Sequence, residues 1–157
     1  MKFLDWLEKH YFKVLFLGLF PMFLWSVLVT QMKIIVLNSE SVPFRVCVQV
    51  YNLKPEKGEL CAFNFKGQTF VKYMVGVAGD EIKNFKGTIY VGTTKVGKAK
   101  RTKLLSPIPE GKIPEGYVFM AGTHPDSLDS RYKEVGLIPV ADIKGKAFGV
   151  LAAPAND

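Results

Sequence analysis

The chain opens on a long apolar run and then changes to short alternations of apolar and polar residues. Residues 14–29 read VLFLGLFPMFLWSVLV without a charge, and Thr30, Gln31 and Met32 extend the uncharged stretch to Lys33. A helix crossing the hydrocarbon core of a bilayer needs about 20 apolar residues, and residues 14–32 come close to that. The run is apolar on all sides and lacks the single stripe of a helix lying on a soluble core. Pro21 is tolerated in a bilayer where local adjustment satisfies the freed carbonyl. The expectation is one transmembrane anchor over 14–32. A cleaved signal peptide competes with it, against the length of the run and the lack of a small-x-small site before Lys33. Lys2, Lys9 and Lys13 precede the run, so the positive-inside rule assigns residues 1–13 to the cytoplasm and 33–157 to the far side.

After Lys33 the period falls to two and glycine and proline punctuate the chain, which predicts an all-β domain. Residues 45–51 place Val46, Val48 and Val50 on one face. Residues 59–65 follow after the turn at Lys54-Pro55-Glu56-Lys57-Gly58, and the two runs suggest a hairpin. Residues 69–78, TFVKYMVGVA, put Phe70, Lys72 and Met74 on a common face, so one lysine stands between two large apolar side chains. Gly79-Asp80 and Lys86-Gly87 are turn signals around a further strand. Strands are also expected from residue 88, over 116–121 and over 143–151.

Composition narrows the chemistry. Lys and Arg outnumber Asp and Glu by 21 to 14 in 157 residues, a net charge of +7, which suits anionic partners such as lipid headgroups. The densest basic run, residues 98–103, reads as a solvated loop. A basic nucleic-acid-binding barrel would interleave exposed aromatics with Lys and Arg on one sheet face. Here the aromatics concentrate in the apolar run and at alternating strand positions, so no nucleic-acid partner is expected. Cys47 and Cys61 lack CxxC spacing and only His10 and His124 accompany them, so neither a metal nor another cofactor is expected. In an oxidising compartment the two cysteines either pair or remain separate buried thiols.

Directly after the apolar run stands Ser39-Glu40-Ser41-Val42-Pro43. A serine hydroxyl needs an adjacent base to attack at neutral pH, and a neutral lysine amine can serve. A lysine becomes neutral only where burial disfavours its charge, and the face shared by Phe70, Lys72 and Met74 offers such a place. The plain alternatives are a turn serine and a solvated lysine. A third segment, residues 121–132 (AGTHPDSLDSRY), follows the strand YVFMAG. With SESVP and VKYMVGVAGD it resembles, in the same order, three boxes of the signal peptidase I family, the S26 serine/lysine peptidases. The closing IPVADIKGKAFGVL is similar to that family's final segment.

The resemblance implies a signal-peptidase-like antiparallel β-sheet domain behind one membrane helix, and it implies roles. Ser41 would be the nucleophile and Lys72 the general base. The Ser41 N–H and the Ser39 hydroxyl would form the oxyanion hole. Ser127 would orient the Lys72 amine, Gly122 would let the loop approach it closely, and Asp129 with Arg131 would hold the loop as an ion pair. The partners would be the bilayer and a membrane-bound precursor carrying a signal peptide, at the inner (cytoplasmic) membrane with the catalytic domain periplasmic or extracellular. Pro43 stands two residues after Ser41, where the family commonly has proline three residues after. That placement resembles the TraF-type branch, which processes pilin precursors of conjugative plasmids, although Arg45 and Cys47 stand where that branch tends to have glycine and tyrosine. His124 reads as a surface loop residue. The chain's own Ala153-Pro154-Ala155 is a small-x-small sequence of the kind an alanine-rich tail also gives by coincidence. A non-catalytic membrane-anchored β-module of a secretion or conjugation apparatus is the alternative, and the joint presence of Ser41, Lys72 and Ser127 argues against it.

Overall fold

A computed structural model describes residues 2–99, 102 and 104–153. Lys100, Arg101 and Lys103 of the basic run, and the tail from residue 154 onward, lie outside the described residues. Backbone contacts divide the chain into two units, Met1–Lys33 and Ile34–Asp157. In the first, helix α1 spans Lys2–Thr30 and contains Pro21. Its segment Lys9–Val27 has mean hydropathy 1.4 and is long and apolar enough to cross a membrane. Phe12, Phe16, Leu17, Phe23 and Trp25 are each more than half exposed along it, an arrangement that water penalises and lipid does not.

The strands, all within the second unit except the first two residues of β1, are β1 (Met32–Val36), β2 (Phe44–Val50), β3 (Leu60–Phe65), β4 (Gln68–Gly76), β5 (Glu81–Phe85), β6 (Thr88–Val91), β7 (Thr94–Lys98), β8 (Gly111–Lys112), β9 (Tyr117–Ala121), β10 (Ile138–Pro139) and β11 (Ile143–Ala152). They form a seven-stranded sheet in the order β1-β2-β11-β3-β4-β9-β10 and a four-stranded sheet in the order β7-β6-β5-β8. The turns follow the chain's local chemistry. Lys66-Gly67 and Lys86-Gly87 both have positive φ at each residue. They join β3 to β4 and β5 to β6, where Phe65 pairs Gln68 and Phe85 pairs Thr88. Two-residue hairpin loops favour this geometry because its twist matches that of the flanking strands.

The expected hairpin of residues 45–51 with 59–65 does not form. Both runs are strands, but β11 lies between them, pairing β2 on one side and β3 on the other. Alternation identifies a strand and its buried face but carries no information about its neighbour, and the intervening strand comes from far along the chain. The same insertion answers the question of the cysteines, which are free and buried. Strands two apart lie about 10 Å from each other, beyond the roughly 7 Å Cα separation a disulfide can bridge. Cys47 and Cys61 also belong to different apolar clusters. Burial raises the Cys47 thiol. It pushes the Cys61 thiol up to about 12, with the charge of Glu59 adding to the effect.

Strand β9 explains how the core is layered. Phe119 and Ala121 pack with Ile82, Ile89, Val91 and Ile113, whereas Val118 and Met120 pack with Cys61, Phe63, Met74 and Ile138. Covered on both faces, β9 reads as a continuous apolar run rather than an alternation. Burying side chains of this size contributes about 1.5–3 kcal/mol each. The loop that follows β9 therefore starts from a rigid base.

Candidate functional site

Lys72 stands in the middle of β4, directly opposite Cys61 of β3. Met74, on the same face, is buried against Met120, its partner on β9, and Phe70 packs at the margin of that cluster. The lysine is only 2% exposed, and its Nζ donates a hydrogen bond of 2.7 Å to Ser127 Oγ. Burial lowers the amine from the usual lysine value to about 8; the charge of Asp129 opposes this and that of Arg131 assists it. The amine thus sits within reach of neutrality near physiological pH.

Ser127 is aimed by the loop after β9, which is organised around one guanidinium. Arg131 Nε and Nη2 donate to the two carboxylate oxygens of Asp129, each at 2.9 Å. The remaining N–H groups reach the backbone carbonyls of His124 at 3.0 Å, Pro125 at 3.2 Å, Ser127 at 3.2 Å and Lys98 at 3.4 Å. Asp129 in turn accepts the Gly122 N–H at 2.9 Å. Both charged residues are about 1% exposed, a burial that charges tolerate only when paired and fully hydrogen-bonded. Burial works against the charge on Arg131, yet the hydrogen bonds and charge of Asp129 hold the guanidinium above its ordinary value. Among the described residues no buried side-chain nitrogen or oxygen lacks a partner.

Ser41 lies half-buried in the turn 39–43 between β1 and β2. The Leu37 N–H closes this turn on the Arg45 carbonyl at 2.7 Å, and the Ser41 carbonyl accepts the Thr123 N–H at 2.8 Å. The Thr123 hydroxyl approaches the same oxygen at 3.5 Å. Gly122 is the point where the segments meet: a Cβ added there would collide with the Ser127 hydroxyl on one side and the Ser41 carbonyl on the other. Only glycine permits that approach.

The structure therefore brings Lys72, Ser127, Gly122, Asp129, Arg131 and the Ser41 backbone into one continuous set of contacts. Ser39 is placed differently, exposed on the wall of an open groove of about 790 Å³, with Glu40, Val42 and Pro43 beside it and Thr123 and His124 opposite. His124 is a surface residue whose Nδ1 accepts the Asp126 N–H at 3.2 Å. Its Nε2 faces a Glu40 carboxylate oxygen at 3.7 Å. Sequence reasoning missed Thr123, which ties the two loops together. Its part is played largely by a backbone N–H, which any residue other than proline supplies, so no side-chain signal marks it.

The family model described as "Signal peptidase, peptidase S26" matches residues 4–152. Among solved structures the chain is similar to a signal peptidase I from Enterococcus faecalis V583, at 23% identity over 59% of this chain and 96% of that one, with a TM-score of 0.42. A search of curated proteins found no match.

Proposed function

The chain belongs to the S26 signal peptidase family, and from that premise we propose that it is a membrane-anchored serine endopeptidase with Ser41 as nucleophile and Lys72 as general base. The observation that carries this reading is the buried Lys72 amine, held on Ser127 at 2.7 Å beside the glycine that also touches Ser41. A lysine so placed serves as a base because desolvation favours its neutral form. Ser41 Oγ attacks the scissile carbonyl while Lys72 takes its proton. The Ser41 N–H and the Ser39 hydroxyl receive the oxyanion, and Lys72 returns the proton to the leaving amine. Ser127 fixes the direction of the amine. Asp129 and Arg131 hold the loop that carries Ser127, and Gly122 lets that loop close on both partners.

Residues 1–13 lie in the cytoplasm, 14–32 form the anchor and 33–157 the catalytic domain outside the cytoplasmic membrane. Confining enzyme and precursor to one bilayer raises their effective concentration. The substrate is an exported precursor, and the position of Pro43 two residues after Ser41 favours a conjugative pilin. The acyl-enzyme is then resolved by water or by a peptide amine, the second giving a circular product. The test is incubation of the purified full chain with a signal-peptide-bearing precursor in detergent. Cleavage is expected, and its loss in both Ser41→Ala and Lys72→Ala while each variant keeps its fold by circular dichroism. Cleavage persisting in Lys72→Ala would remove the proposed base. A product lighter by one water than the linear fragment identifies cyclisation.

A further inference from the structure

The turn 39–43 and the loop that carries Ser127 meet at the Ser41 carbonyl, which accepts the Thr123 N–H at 2.8 Å. A contact between side chains lies one residue away on either side: His124 Nε2 faces a Glu40 carboxylate oxygen at 3.7 Å, and both residues line the groove with Ser39. Each end of this contact is fixed to a working part of the site. Glu40 stands between Ser39 and Ser41 in sequence. The His124 carbonyl accepts Arg131 Nη2 at 3.0 Å, and the same nitrogen donates to the Ser127 carbonyl at 3.2 Å. The ring is oriented as well. With Nδ1 accepting the Asp126 N–H at 3.2 Å, the ring hydrogen belongs on Nε2, where its dipole points at the carboxylate.

We propose that Glu40 and His124 form a positioning pair that holds the turn of Ser39 and Ser41 in register with the lysine loop. The proposal rests on the peptidase reading of the site. One hydrogen bond at the Ser41 carbonyl fixes a point of the turn, and a second attachment at Glu40 fixes its direction. The direction matters for the Ser41 hydroxyl, which must face Lys72, and for the Ser39 hydroxyl and Ser41 N–H, which must face the developing oxyanion. With side chains 41% and 62% exposed, the pair adds little to stability, as exposed pairs do. Its effect on rate is larger, because a nucleophile displaced by a fraction of an ångström loses its line of attack.

The experiment measures cleavage of a signal-peptide-bearing precursor by the full chain in detergent, for Glu40→Gln, His124→Gln, the double variant and His124→Lys. Each change to Gln is expected to lower kcat about five- to tenfold, with KM and Tm unchanged. The double variant should fall no further than either single one, the mark of residues that act together. His124→Lys should keep most of kcat alone and none of that benefit in combination with Glu40→Gln. Losses that multiply in the double variant overturn the proposal, and so does a rise in KM at constant kcat, which marks a substrate contact. The chain has two histidines, His10 and His124, so the ring protons of His124 can be followed by NMR in the same detergent. Glu40→Gln should move the His124 signals and leave those of His10 in place. Unmoved His124 signals overturn the pairing whether or not the protein cleaves. Moved signals in a protein that cleaves no precursor keep the contact but sink the peptidase reading, and the positioning role with it.

Discussion

At Lys72 the same burial that makes an amine costly to charge makes it useful. With Lys72 in the proposed role of base, its value of about 8 predicts an acid limb: below it the amine is protonated, and kcat/KM should fall about tenfold per pH unit. A profile measured on a peptide substrate from pH 6 to 9 checks this, and a flat profile would leave Lys72 without its role. Stability moves with the same sign. The folded value lies below that of the unfolded chain, so the unfolded state binds the extra proton between about 8 and the ordinary lysine value, and stability rises with pH across that window. The neighbouring Asp129–Arg131 pair is more exacting, because removal of one partner leaves a buried charge. Asp129→Ala should cost about 3–5 kcal/mol, measured as a shift in urea midpoint with unchanged slope. The apolar neighbours of Lys72 are legible from strand alternation alone, since period two makes Phe70 and Met74 flank it. The backbone donors that arrange the loop are not, because every residue except proline carries one.

Elements divide along the same line. Strands β2, β3, β4, β5, β6, β9 and β11 fall where alternation and turn residues place them, because each has one face or both in a core. Strand β1 was hidden by its position at the end of the apolar run, where Met32, Ile34 and Val36 remain exposed while Ile35 is buried. Two-residue strands such as β8 and β10 are too short to show a period. Pairing was the real gap: the interposed β11 separates Cys47 from Cys61 by a full strand. Protein expressed in an oxidising compartment should therefore run identically on reducing and non-reducing gels. Both thiols should take up a maleimide label only after unfolding; a mobility shift or a protected pair in denaturant would contradict the register.

For the whole molecule, the apolar helix and the β unit are separate stretches of chain, and the change of hydrophobic period near Lys33 marks the boundary between them. The proposed orientation is a prediction from charge, with Lys9 and Lys13 before the apolar stretch. A reporter enzyme fused after Asp157 should be active only when it requires export, and activity of a cytoplasm-dependent reporter at that site would invert the topology. The position of β11 has a further consequence in time. Every other strand is synthesised before it, yet it lies inside the seven-stranded sheet, third in order between β2 and β3. A chain emerging in sequence order has β1-β2 on one side and β3-β4-β9-β10 on the other before β11 is made, and contacts so distant in sequence form slowly. The turn that holds Ser41 ahead of β2 and the lysine on β4 are thus joined into one sheet only by residues 143–152, the last strand to be made.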